Sequence, residues 1–198
     1  MRREWIERLC FALLLSVVVI VPAEPGLGAP IVSVEPVGTS ALAGQSFSLD
    51  IDVSGVADLY AYQFDLSFDP EILAATSIAE GSFLQAGGAT FFAGGAIDNS
   101  TGTISFTADT LLGPLAGVDG SGTLATVNLV AVRSGTSPVA LSNVVLLDSD
   151  LADIDLVTID GTVEVTSVDG PATLFLLAVG LTAAGLVTLR GRTRRQEP

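Results

Sequence analysis

Between Tyr60 and Phe68 the chain alternates. Tyr60, Tyr62, Phe64, Leu66 and Phe68 fall on one side, and Gln63, Asp65 and Ser67 on the other. Successive side chains of an extended strand point to opposite faces, so this pattern fits a half-buried sheet and not a helical stripe. The same period of two recurs in Phe47, Leu49, Ile51 and Val53, in Ile104, Phe106 and Ala108, and in Ala125, Val127, Leu129 and Ala131. It returns a last time in Ile159, Val163 and Val165. Turn-forming residues separate the runs: Ser54-Gly55, Asp69-Pro70, Gly87-Gly88, Asp98 to Gly102, Asp119 to Gly122 and Asp160-Gly161. Glycine and asparagine tolerate positive φ there, and proline presets the turn. Many short strands with frequent turns predict an all-β body of two packed sheets, with about nine strands. No stretch of comparable length repeats with a helical period, and no internal repeat or long linker appears.

The body so defined spans residues 30–166, enough for one domain with one core. Its charge is lopsided. The chain has no His and no Lys, and of its Arg residues only Arg133 lies in the body, against seventeen carboxylates between Glu35 and Glu164. Nucleic-acid binding needs clustered Lys or Arg, so no nucleic-acid partner is expected. The single Cys, Cys10, lies in the N-terminal apolar run, which leaves the body without a disulfide, a thiol nucleophile or a Cys or His metal ligand. Ser-His-Asp and Ser-Lys catalysis are excluded for want of a base. A phosphate-cradling loop is excluded for want of Lys. A carboxylate pair of the glycosidase kind could only come from acids such as Asp65, Asp69 and Glu71, which fall in a strand and its turn, in a body with few aromatic groups to grip a sugar at a deep cleft. The expectation is a chain that binds and does not catalyse, with no cofactor required.

Asp148, Asp150, Asp153 and Asp155 form the densest acidic run. Flexible loops rich in oxygen ligands suit Ca²⁺, so this run is a candidate calcium site; the plainer reading is a solvated surface loop. The run lacks the mid-loop Gly and late Glu of an EF-hand.

A family resemblance emerges from five motifs in order. The first is the strand Leu59 to Phe68 followed by Asp69-Pro70-Glu71-Ile72-Leu73. Then come Glu80-Gly81-Ser82-Phe83-Leu84, Gly102 to Asp109, Gly120 to Val127, and Asp160-Gly161-Thr162-Val163-Glu164-Val165. Together they resemble a cohesin domain. The resemblance implies a nine-stranded jelly-roll sandwich akin to certain carbohydrate-binding modules. It also implies a dockerin-type protein partner in polysaccharide-degrading or surface assemblies, gripped by polar side chains on one sheet face. The matching positions here are Ala61, Gln63 and Asp109; Ala61 departs from the polar pattern. A second class of function is carbohydrate binding, by a surface or matrix protein associated with exopolysaccharide, for which Tyr60, Tyr62, Phe91 or Phe92 would have to be exposed. A third is a passive surface component without a specific ligand.

The ends carry addresses. Residues 1–29 read as a secretory signal: Arg2, Arg3 and Arg8 precede an apolar run from Leu9 to Val21, too short for a comfortable span, with cleavage after Ala23 or Ala29. An uncleaved N-terminal anchor is the alternative. Residues 167–198 hold an uncharged stretch from Pro171 to Leu189, whose helix would cross roughly 28 Å, followed by Arg190, Arg192, Arg194 and Arg195 as a membrane stop. Positive residues stay on the cytoplasmic side, so the body is expected outside. An ordinary single-pass anchor explains this. From Val168 to Arg195 the tail also resembles a PEP-CTERM sorting tail, which implies an exosortase-type processing enzyme as a partner; Asp169-Gly170-Pro171 stands where Pro-Glu-Pro is expected. The protein is thus expected to be exported and held at the cell surface or outer envelope, membrane-anchored unless the tail is cut.

Overall fold

The computed structural model describes residues 28–167. The expected signal segment, apart from its last two residues, and the expected sorting tail, apart from its first, lie outside the described residues, as do Asp169, Gly170, Pro171, Arg190, Arg192, Arg194 and Arg195. Among the described residues no helix is long and apolar enough to cross a membrane.

Eleven strands run in chain order: β1 (Ile31–Glu35), β2 (Gly38–Leu42), β3 (Ser46–Leu59), β4 (Ala61–Phe68), β5 (Leu73–Glu80), β6 (Thr90–Asp98), β7 (Thr103–Leu111), β8 (Val118–Ala131), β9 (Gly135–Leu147), β10 (Val157–Ile159) and β11 (Gly161–Thr166). One helical turn, α1 (Ser82–Gln85), joins β5 to β6. The strands form a five-stranded sheet in the order β10-β1-β3-β8-β5 and a six-stranded sheet in the order β2-β11-β9-β4-β7-β6. The expected count of nine becomes eleven because the first and last passages each break and change sheets. Pro36, without an N–H to extend a ladder, separates β1 from β2. Asp160, whose carboxylate accepts the N–H of Leu141 at 2.9 Å, separates β10 from β11. The two passages run side by side: β1 pairs parallel with β10, and β2 parallel with β11.

The alternation read from the sequence builds the core. Leu49, Ile51 and Val53 of β3 and Ala125, Val127, Leu129 and Ala131 of β8 face Tyr62, Phe64, Leu66 and Phe68 of β4 across the sandwich, and all are buried. Phe83 and Leu84 of α1 close one end. Val163 and Val165 join the core, but Ile159 does not; β10 is an edge strand and its three residues are exposed.

Two strands change phase. On β7, Ile104 is buried, yet so are Thr107, Asp109 and Leu111, while Phe106 is exposed and Ala108 half-buried. The expected inward row Ile104, Phe106, Ala108 is therefore corrected after its first member. Phe106 adopts φ +59, and the β4–β7 register slips between Phe64 and Leu66. On β9 the register against β4 slips between Gln63 and Asp65, where Asn143 adopts φ +50. Such bulges insert one unpaired residue and turn every later side chain to the opposite face. Gly95 of β6, at φ +70, stands opposite Phe106 between the pairs Gly94–Thr107 and Ala96–Ser105. A Cβ there would lie 2.7 Å from Thr107 Oγ1, so the position admits only glycine. A crease thus crosses the sheet through Asn143, Phe106 and Gly95, and Asp65 of β4 sits in its middle.

Candidate functional site: a shelf on the six-stranded sheet

Strand pairing lays out the outer face of the six-stranded sheet as a grid. One row runs Leu147, Ala61, Thr110, Phe91 across β9, β4, β7 and β6, and the next runs Val145, Gln63, Ala108, Ala93. Three alanines make a low floor, so the surface sinks into a shallow depression of about 300 Å³. Phe91, 65% exposed, stands at one end and Phe106, 60% exposed, at the other. The one acid that lines the depression, Asp109, is turned inward and only 2% exposed, so Gln63 and Thr110 supply the polar groups that the floor presents to solvent. The opposite outer face, on the five-stranded sheet, is acidic: Glu35 sits across from Asp50, and Asp52 follows two residues on.

Ala61 and Gln63 therefore lie where the sequence reading put them, half-buried on one outward sheet face. Asp109 does not. The bulge at Phe106 turns it inward, and it is only 2% exposed. Its Oδ1 accepts the N–H of Thr110 at 2.9 Å, and its Oδ2 has no protein donor. Glu80, at the end of β5, stands beside it and accepts the Thr90 hydroxyl at 2.5 Å. Burial, and then the negative charge of Glu80, push the Asp109 carboxyl up to about 7. A proton on Asp109 supplies the donor that the pair otherwise lacks. Tyr62, paired with Asp109 on β4, donates its hydroxyl to Leu124 O at 2.5 Å across the core. Burial and the two neighbouring carboxylates raise its phenol far above its ordinary range.

The candidate calcium ligands do not converge. Asp148 Oδ1 accepts the N–H groups of Asp150 at 2.9 Å and Ala152 at 2.8 Å, so this carboxylate caps its own loop. Among the described residues no group of three or more acidic side chains is placed to hold a metal ion. Asp65, Asp69 and Glu71 are likewise committed. Asp65 accepts from Phe106 N and Asn143 Nδ2, each at 2.6 Å, Asp69 from Glu71 N at 2.9 Å, and Glu71 pairs with Arg133 at the surface. Of the aromatic residues weighed for sugar stacking, Tyr62 is buried, Tyr60 is half-buried with its hydroxyl given to Gly113 O at 2.6 Å, Phe92 is half-buried, and Phe91 is free.

Ala93, Phe106, Ala108, Thr110, Val145 and Leu147 are the shelf residues that the sequence pattern alone did not assign to a site. Parity was the signal. Ile104 and Leu111 are seven apart, and Leu141 and Leu146 five apart, so neither pair can face one core on an unbroken strand.

The molecule is thus a two-sheet sandwich with a largely apolar shelf on one outer face and acid on the other. Residues 32–165 match the family model described as "Cohesin domain", and the chain belongs to that family. Cohesin domains are non-catalytic binding modules. The fold is similar to that of a non-cellulosomal cohesin from the hyperthermophilic archaeon Archaeoglobus fulgidus, at 15% identity over 71% of this chain and 93% of that one, with a TM-score of 0.54. It is similar to the OlpC cohesin of Clostridium thermocellum, determined in a type I complex with a dockerin, at 17% identity over 74% and 99% of the two chains, with a TM-score of 0.59. The third cohesin of ScaC from Acetivibrio cellulolyticus, determined with the ScaB dockerin, matches at 21% identity over 69% and 98%, with a TM-score of 0.56. At these identities the likeness is one of fold. No curated protein matches the chain.

Proposed function

We propose that this protein is an exported, non-catalytic docking module whose shelf on the six-stranded sheet receives a dockerin-like protein. The carrying observation is the contrast between the largely apolar shelf, whose one lining acid faces inward, and an otherwise acidic body. Desolvating alanine, valine, leucine and phenylalanine costs little, whereas every carboxylate carried into an interface without a partner is expensive. Dockerin complexes of cohesins with the same fold support the reading. The sequence of the ends supplies the rest of the proposal: export by residues 1–29, and anchorage by residues 167–198 to the cell surface, with an exosortase-type enzyme as the processing partner. Calorimetric titration of the full-length protein with a panel of purified dockerins tests it. Saturable binding that Ala108→Arg abolishes supports the shelf; no binding across the panel sinks it.

The exposed ring of Phe91 favours a second reading, a carbohydrate-binding matrix protein. Sugar sites pair an aromatic platform with several converging polar groups. Here the floor presents the side chains of Gln63 and Thr110 to solvent, while those of Tyr62 and Asp109 are buried. A glycan array probed with the same protein separates the two readings.

A further inference from the structure

Resting on the docking reading, we infer that Phe106 is the anchor of the shelf, a ring held out at a built bulge so that it enters a pocket of the partner. Among the described residues, Phe106 is the bulkiest of four non-glycine residues with positive φ, the others being Asp58, Asn143 and Leu151. A bulky side chain is disfavoured in that conformation, and such outliers persist where the surroundings over-determine them. The surroundings do so here. Asp65 reaches from β4 with one oxygen to the Phe106 N–H and with the other to the Asn143 side-chain amide, so a single carboxylate ties the bulges of both flanking strands. Gly95 closes the crease from the far side.

All of this machinery would work with asparagine or glycine at position 106. Either residue tolerates positive φ, and neither leaves an aromatic ring in solvent. The ring is instead 60% exposed beside a floor of alanines, about 13 Å along β7 from Thr110 and its neighbour Phe91. Rigid aromatic side chains are among the residues that dominate binding energy when a partner packs them into a fully desolvated pocket. The occupant that fits is a protein surface with an apolar stripe, notched for the ring and bordered by Lys or Arg. The described body offers Arg133 against seventeen carboxylates, so a partner of like charge would be repelled.

The test measures full-length protein and its Phe106→Asn variant for melting temperature and for calorimetric affinity to the same dockerin panel. The anchor predicts a Tm held or raised, together with a loss of about 30-fold or more in Kd. A Tm drop beyond about 4 °C would show that the ring serves the fold and overturn the inference. Unchanged affinity with an unchanged Tm overturns the anchor and leaves the docking reading standing. Wild-type protein that binds none of the panel overturns both.

Discussion

The carboxylate of Asp65 accepts the backbone N–H of Phe106 at 2.6 Å, which ties the middle of β4 to the bulge in β7. Charge-assisted bonds of this kind exceed neutral ones, though partial exposure moderates the gain. Asp65→Ala should cost about 1–2 kcal/mol in urea unfolding and speed hydrogen exchange at Phe106. Asp65→Asn, which keeps an acceptor, should cost less. Equal losses from the two variants would show that the bond does not hold the bulge.

Asp109 sets a pH dependence of unusual sign. Its folded pKa, about 7, lies above the ordinary 3.8, so the folded protein holds a proton that the unfolded chain releases. Stability from this group is fully present below about pH 4 and is lost as pH rises to about 7. Asp109→Asn should flatten the melting temperature across that window and leave the variant more stable than wild type at pH 8. A wild-type Tm that climbs steadily from pH 4 to 7 would contradict the buried pair.

Asp58 and Asp98 give the opposite slope at the acid end. Hydrogen bonds from Ser149 and Gly117 lower the Asp58 carboxyl, and bonds from Ser100 and Thr101 lower Asp98. Depressed folded values mean stability that is present above about pH 4 and lost as pH falls below it. Asp58 joins three segments: its oxygens accept Gly117 N at 2.7 Å and the Ser149 hydroxyl at 2.6 Å, while its own N–H binds Asp119. Asp58→Gly preserves the positive φ and deletes the acceptors. It should increase amide exchange at Gly117 and Ser149 and remove part of the acid-side loss seen in thermal melts.

Ala108→Arg tests the shelf apart from the fold. The side chain points outward from the floor, so the long cation can reach water. Tm should stay within about 2 °C of wild type. Dockerin affinity should fall by about 100-fold or more, because the arginine fills the depression between Phe91 and Phe106. Retained affinity would move the docking site elsewhere.

The strands facing the core were legible because burial on one face leaves a period-two mark, as in Tyr62 to Phe68. Ala61 and Gln63 fall on the outward face for the same reason: they are the off-beat residues of that strand. The misplacement of Phe106 and Asp109 has one cause. A bulge is a single extra residue, and between Ile104 and Leu111 the intervening Ser105, Thr107 and Thr110 are tolerated on either face. Only the odd spacing of the two large apolar residues records it. The buried acid was unreadable for a different reason: an aspartate beside an alternating strand is ordinarily solvated, and its partner Glu80 lies across the sandwich, 29 positions earlier in the chain. Asp148 shows the converse. Four acids in one loop suggested a shared ion, but the local backbone N–H groups satisfied the first of them.

The first and last passages run in the same direction, β1 beside β10 and β2 beside β11. Tension drawn between Ile31 and Thr166 therefore slides these strands lengthwise past one another. Their rungs carry the load together and must rupture as a set, where an antiparallel hairpin pulled from its open end would peel one rung at a time. A module wired in this way resists stretching along its own chain.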